Sequence, residues 1–252
     1  MERLLHLWRS PPRPKHIDKV YFRFDLFLSV SQVFAFLMVI LAGYYHEIAD
    51  DGLQGSLGQL HYHGLYMRYA LIFFQGEGLL AYRIFRHETK IMSKMVHTLM
   101  HICTFALVVA ALINIVQFKN DNHISHMYSS HSWIGICLIS VYLVQFAFGV
   151  INFPLPFSTG TRSSFVSSHK LVGLTIFVVS VAQSLTGSAQ IPLIIHSQSN
   201  NCTTEANEYE RLSKPSLLLN FTSVFTLLYS LSVIYMVCTN RWRRRKTPDE
   251  KI

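Results

Sequence analysis

Residues 95–117, MVHTLMHICTFALVVAALINIVQ, contain no Asp, Glu, Lys or Arg. A helix needs about 20 predominantly apolar residues to cross the hydrocarbon core of a bilayer. The stretch therefore predicts a membrane-spanning helix. Its third residue, His97, is a polar group close to one end of that helix.

Five further apolar segments of similar length surround this stretch: residues 26–45, 64–85, 132–153, 170–195 and 215–238. The segment 64–85 is the least apolar, because it contains Arg68 and Glu77. Half of the 252 residues are hydrophobic and 14% are charged, against roughly 25% charged residues in a soluble domain. The polar connections are too short to fold alone. We therefore predict an all-α integral membrane bundle of six helices that forms a single domain over residues 1–252.

Basic residues are concentrated on one side of the predicted bundle, which carries 18 of the 22 Lys and Arg residues. They lie in residues 1–25, 83–94, 162–170 and 239–252. The opposite side carries only Lys119, Arg211 and Lys214, and Arg68 lies inside a span. Because Lys and Arg collect on cytoplasmic loops, both termini are predicted to be cytoplasmic. The net charge of +8 agrees with this topology, and no nucleic-acid partner is expected.

A glycosylation sequon agrees with this orientation. Asn201-Cys202-Thr203 lies in the last outer connection and predicts an N-glycan on Asn201. A second match, Asn220-Phe221-Thr222, lies within a predicted span and is expected to be unreachable. The first apolar segment follows a basic front and lacks a small-residue cleavage site, so a cleaved targeting peptide is not expected.

Four of the thirteen histidines occupy matching positions, near the N-terminal ends of four successive predicted helices. They are His63, His97, His131 and His169, separated by 34, 34 and 38 residues. Because neighbouring helices are antiparallel, His63 and His131 are expected near the outer face, and His97 and His169 near the cytoplasmic face. Neutral imidazole is an axial ligand of haem iron, and bundles hold cofactors between facing helices. The pattern therefore indicates two histidine pairs, each able to hold one haem.

Two glycines support this interpretation. Gly135 and Gly173 follow His131 and His169 by four residues and lie on the same helical face, which leaves room for a macrocycle. A single histidine near a helix end is more often an interfacial residue, and zinc is the nearest alternative for a histidine pair. No carboxylate or thiolate accompanies either pair, and the four cysteines form no CxxC motif, which disfavours zinc and iron–sulfur sites.

The other histidines have weaker patterns. His101 lies one turn beyond His97 and is a candidate cofactor-binding residue, either as a competing ligand or as a donor to a haem propionate or a carbonyl. His61 is expected in the headgroup region. The remaining outer histidines are expected to be solvated: His46, His123, His126 and His196. For His123 and His126, binding of an outer metal-ion substrate is the alternative.

A group of basic residues surrounds the predicted cytoplasmic pair. If the third helix begins early, Lys90 and Lys94 share one face with His97. Together with Arg83 and Arg162 they could form a cationic pocket for a small organic anion or for haem propionates. The alternative is that these residues only set the topology. Arg68 has two interpretations as well, because it could neutralise a propionate or extend to the membrane surface.

The motifs resemble those of the eukaryotic cytochrome b561 family over roughly residues 40–190. The matching stretches are LHYHGLYM at 60–67, GEGLLAYRIFR at 76–86, KMVHTLMH at 94–101, MYSSHSW at 127–133 and SHKLVG at 168–173. The resemblance implies four haem-binding helices, two b-type haems, ascorbate as the cytoplasmic electron donor and a homodimer. It also implies the pairing of His63 with His131 and of His97 with His169.

The resemblance extends to the basic residues. Lys90, Lys94 and Arg162 match the family's ascorbate-contacting positions, and Arg83 matches a basic residue near the haem. Two outer features depart from the family pattern. Its Asn-Trp-His-Pro motif is replaced by residues 61–64, HYHG, and its outer histidine associated with ferric iron aligns with Lys119.

The leading hypothesis is therefore electron transfer from cytoplasmic ascorbate through two haems to an outer acceptor, either a ferric chelate or monodehydroascorbate. The membrane is expected to be the plasma membrane or an endosomal, lysosomal or secretory vesicle membrane. One alternative is a transporter or channel that uses the histidines for protons or metal ions. The sequence, however, lacks the inverted helix pairs interrupted by Gly or Pro that many carriers contain. A second alternative is a subunit that keeps the fold without turnover.

Overall fold

The computed structural model describes residues 15–49, 52–152, 159–198 and 213–243, and their side chains within 22–49, 52–151, 165–194 and 213–243. The described part of the chain folds into seven α-helices. They are α1 (Lys15–Ile48), α2 (Gly58–Arg68), α3 (Gln75–Ile84), α4 (Lys90–Asp121), α5 (Ser130–Asn152), α6 (Thr159–Gln198) and α7 (Lys214–Cys238). A π-helical segment, Tyr69–Phe74, joins α2 to α3 without a break.

Within the described ranges, five helices are long and apolar enough to cross a membrane. These stretches are Phe22–Ile48, Lys90–Asp121, Ser130–Ile151, Phe165–Ile194 and Lys214–Cys238. The continuous α2–α3 element is the sixth and least apolar helix of the bundle, and it carries Arg68 and Glu77. The prediction of an all-α membrane bundle is confirmed, and the chain is a multi-pass membrane protein.

Local sequence explains where several helices begin. Thr89 caps α4 by accepting a hydrogen bond from the Met92 amide at 3.4 Å, and Ser213 caps α7 in the same way. Pro215 lies in the first turn of α7, where a missing N–H costs nothing. Gly52, after α1, has φ of +68°, and an added Cβ would lie 2.1 Å from the Glu47 carbonyl oxygen. Only glycine fits that turn.

The α2–α3 element lies at the centre of the bundle. It contacts α4 on one side and α1, α6 and α7 on others, while α1 packs mainly against α7 and α5 mainly against α6. One apolar cluster joins the π-helical segment, α4, α5 and α6. Its buried members are Ala70, Leu71, Val108, Leu138, Ile139, Tyr142 and Ile176. This cluster occupies the middle of the four histidine-bearing helices, between their two ends.

A half-buried carboxyl group links the central element to α1 and α7. Glu77 accepts hydrogen bonds from Gln32 Nε2 at 2.8 Å and from Tyr229 Oη at 2.9 Å. Tyr229 is fully buried, and an added Cβ on the neighbouring Gly76 would lie 2.5 Å from its hydroxyl oxygen. Gly76 therefore permits the close approach of α3 and α7 that the Glu77–Tyr229 bond requires.

The Gly76→Ala substitution should lower the thermal stability of the purified protein, because the new methyl group displaces Tyr229 in a packed interface. Overpacking of this kind costs about 1–3 kcal/mol. The control is the double variant Gly76→Ala/Tyr229→Ala, in which the added methyl group has space. Unfolding in detergent should show a double variant less destabilised than the sum of the single variants. Additive losses would mean that the two residues do not press on each other.

Candidate functional site

The predicted cytoplasmic pair, His97 of α4 and His169 of α6, is brought together by the fold. The two imidazole ring centroids lie 6.2 Å apart. Metal–imidazole bonds are about 2 Å long, so two imidazoles on opposite sides of one metal place their ring centres about 6 Å apart. The observed separation therefore matches two ligands that share one iron.

The hydrogen bond of His97 defines which of its nitrogens can bind a metal. Its Nδ1 lies 2.8 Å from the carbonyl oxygen of Gly78. A carbonyl can only accept, so Nδ1 carries the proton and Nε2 keeps its lone pair for coordination. A second-shell bond of this kind is usual for metal-bound histidine. On the side of His169, Gln145 Nε2 donates to its carbonyl oxygen at 2.6 Å, and Gly149 faces its ring.

His101 lies beside this pair. Its ring centroid is 4.5 Å from that of His97, which is too short for the two to be opposite ligands of one iron. Tyr142 Oη donates to the His101 carbonyl at 3.1 Å and lies 3.3 Å from His101 Nδ1. Since that hydroxyl proton is already used, Nδ1 donates to the Tyr142 oxygen. His101 therefore keeps a lone pair on Nε2, and this atom faces Gly78.

The predicted outer pair consists of His63 of α2 and His131 of α5. His63 Nδ1 lies 3.1 Å from the Ala111 carbonyl oxygen, and His131 Nδ1 lies 3.4 Å from Thr186 Oγ1. Thr186 donates its own proton to Gln183, so its oxygen accepts from His131. Both histidines thus have a protonated Nδ1 and an Nε2 lone pair. His131 lies close enough to His63 to act on it electrostatically.

Glycines surround the histidines. An added Cβ on Gly187 of α6 would lie 2.9 Å from His131 Cε1, and one on Gly149 of α5 would lie 3.4 Å from His169 Cε1. The space expected beside Gly135 is present, because among the described atoms a Cβ there would meet nothing within 4 Å, but the space expected beside Gly173 is filled. A Cβ on Gly173 approaches Gln145 Nε2 at 3.6 Å.

These donor sets fit haem better than a bare metal ion. A zinc ion needs three or four protein ligands. Within the described ranges, no three His, Cys, Asp or Glu side chains are placed to hold a metal ion together. Haem iron needs only two axial ligands from the protein, because the porphyrin supplies the others. Two imidazoles with lone pairs at each level meet that requirement.

The basic residues predicted near the inner pair lie on three helices: Lys90 and Lys94 on α4, Arg83 on α3 and Arg162 on α6. α4 begins at Lys90, so Lys90, Lys94 and His97 do lie on one helix, with Lys90 exposed and Lys94 half-buried. Arg83 is buried in α3 and donates through Nη2 to the Val237 carbonyl near the end of α7, and no described residue is hydrogen-bonded to its Nη1. Arg162 lies in α6, but its side chain is outside the described residues, as is Asn201.

Two histidines lie elsewhere than expected. His46 of α1 and His61 of α2 have exposed fractions of 0% and 1%, and their Nδ1 atoms lie 3.0 Å apart. The expectations of a solvated His46 and of a headgroup position for His61 are therefore wrong. The packing of α1 against α2 buries both rings, so one imidazole donates and the other accepts. Sequence spacing carries no signal for such a contact between two helices.

Comparison with known proteins identifies the family of this chain. The family model for eukaryotic cytochrome b561 matches residues 62–192, more than half of the chain. A mouse relative, "Transmembrane ascorbate-dependent reductase CYB561", is 28% identical over 89% of this chain and 87% of its own length. "Plasma membrane ascorbate-dependent reductase CYBRD1" of Xenopus tropicalis is 28% identical over 92% and 81%, respectively. The matched region contains all four paired histidines, and the chain belongs to the eukaryotic cytochrome b561 family.

Proposed function

We propose that this protein transfers electrons from ascorbate at the cytoplasmic face, through two haem b groups, to an acceptor at the opposite face of the membrane. Family membership implies haem b as the cofactor. The mouse and frog relatives are named as ascorbate-dependent reductases. The observation that carries the proposal is the pair of histidine levels, in which three imidazoles donate from Nδ1 and keep Nε2 for a metal.

The separation of the two levels supports one haem at each. On α4, His97 belongs to the inner level, and Ala111, fourteen residues later, accepts the hydrogen bond of the outer ligand His63. Fourteen helical residues rise about 21 Å, a large part of a hydrocarbon core about 30 Å thick. His97 and His169 would hold the inner haem, and His63 and His131 the outer haem. When bound, each haem iron accepts and releases one electron at a time.

Ascorbate binding is assigned to Lys90, Lys94 and Arg162. Ascorbate is an anion, and the two ammonium groups lie on the first turns of α4, ahead of His97 on the same helix. They would bind and orient the anion at the cytoplasmic end of the bundle. On giving up one electron, ascorbate also loses a proton and becomes monodehydroascorbate. Arg83 and His101 are proposed to contact the inner haem, alongside Lys90.

The acceptor is proposed to be a ferric chelate or monodehydroascorbate. Lys119 lies in the last turn of α4, two turns beyond Ala111, which accepts the hydrogen bond of His63, so a cation lies at the outer end of this helix. A positive charge there would attract anionic acceptors. The frog relative is named for the plasma membrane. That membrane, or an endosomal, lysosomal or secretory vesicle membrane, is the proposed location, and a homodimer is the proposed assembly.

The His97→Ala variant should contain about one haem per chain, whereas the unmodified protein should contain about two, because the inner level loses an axial ligand. Haem content would be measured by visible spectroscopy against protein concentration. His126→Ala, which changes an exposed outer histidine, is the control and should keep both haems. An unchanged haem content in His97→Ala would contradict the ligand assignment.

Replacing Lys90 and Lys94 with alanine should raise the KM for ascorbate by about fivefold for each lysine, which corresponds to about 1 kcal/mol per exposed charge contact. The rate at saturating ascorbate should change less. Reduction of the purified protein by ascorbate would be followed by stopped-flow absorbance. Arg241→Ala removes another exposed basic residue and should leave the KM unchanged. Equal effects of all three substitutions would indicate general electrostatic attraction without a defined pocket.

The proposed topology places Asn201 outside and both termini in the cytoplasm. Protein expressed in animal cells should therefore shift to lower mass on treatment with an N-glycosidase. Asn201→Gln should abolish that shift, and Asn220→Gln, a change within α7, should preserve it. A glycan at Asn220, or an N-terminal tag that is accessible on intact cells, would contradict this orientation.

A further inference from the structure

We infer that Arg68 raises the midpoint potential of the outer haem and so favours electron flow towards the outer face; this inference rests on the proposed function. Arg68 ends α2 inside the second span and is 4% exposed. Its Nη2 donates to Ser188 Oγ, and its Nε lies 3.4 Å from Ser184 Oγ. Its Nη1 is buried and has no hydrogen-bond partner among the described residues.

The contacts of Arg68 do not neutralise its charge. A guanidinium group stays protonated in proteins, and both of its hydrogen-bond partners are neutral hydroxyl groups. The carboxyl group on the same transmembrane element, Glu77, is nine residues away and is bonded to Gln32 and Tyr229 on α1 and α7. Across the described ranges, Arg68 forms no ion pair of 4 Å or less. A charge in a membrane is costly and usually has a functional partner.

The position of Arg68 links this charge to the outer histidine level. Ser184 and Ser188, which bind Arg68, belong to the same turn of α6 as Thr186 and Gly187, which contact His131. Arg68 also follows the other outer ligand, His63, by five residues. Helical side chains lean towards the N-terminus, so the side chain of Arg68 extends back towards the level of His63.

A fixed positive charge at this position favours the reduced form of a nearby haem. Reduction of ferric to ferrous iron adds one negative charge to the site. In a low-dielectric interior that charge interacts strongly with a neighbouring cation. The interaction stabilises the reduced state and raises its midpoint potential. Arg68 is therefore a residue that adjusts the midpoint potential of the outer haem without contacting the substrates.

The test compares neutral and charged variants by potentiometric titration of the purified protein in nanodiscs, followed by haem absorbance. In Arg68→Gln and Arg68→Met, one of the two haem components should shift to lower potential. At a fixed ambient potential its reduced-to-oxidised ratio should fall at least tenfold, or about 59 mV for one electron. The other component should stay in place. Arg68→Met removes an unpaired charge from the membrane, so it should insert even if the Gln variant does not fold.

Two controls separate charge from structure. Arg68→Lys keeps the positive charge and should keep the midpoint potential. Glu77→Gln removes a carboxyl group from the other face of the same element and should leave the outer component in place. Three results would overturn the inference and leave the proposed function intact. They are unchanged midpoint potentials in both neutral variants, equal shifts of both haem components, and a shift in Arg68→Lys as large as that in Arg68→Met. A wild-type protein without haem would overturn both.

Discussion

Every buried imidazole N–H in this bundle must find an acceptor within the protein, because the surrounding hydrocarbon offers none. His97 donates to the Gly78 carbonyl, His63 to the Ala111 carbonyl and His131 to the Thr186 hydroxyl oxygen. Each bond fixes the proton on Nδ1 and leaves a lone pair on Nε2. This makes the three side chains competent metal ligands, whereas the Nδ1 atoms of His46 and His61 are hydrogen-bonded to each other.

The same bonds also hold the helices in register. The His97 bond joins α4 to α3, the His63 bond joins α2 to α4, and the His131 bond joins α5 to α6. The same hydrogen bonds therefore orient the histidine ligands and hold the helices together. The glycines opposite the rings leave space for the imidazoles, since an added Cβ on Gly187 would lie 2.9 Å from His131. The apolar cluster between the levels keeps the two histidine sites apart.

Much of the fold could be predicted because its determinants are local. Long apolar segments identify the spans, and the early start of α4 at Lys90 agrees with the expected alignment of Lys90, Lys94 and His97 on one helix. Contacts between distant segments could not be predicted in the same way. The His46–His61 contact depends on how α1 packs on α2, and Arg68 finds its partners 116 and 120 residues away. Polarity alone suggested solvent for His46 and the headgroup region for His61, and it left the partner of Arg68 open.

The most direct test of the account is an experimental density map of the purified protein in a lipid nanodisc, such as one from electron cryo-microscopy. Two porphyrin densities are expected, one between His97 and His169 and the other between His63 and His131. Two results would contradict this assignment of the haem ligands. In the first, these imidazoles contact only protein; in the second, His101 or His61 binds the iron instead.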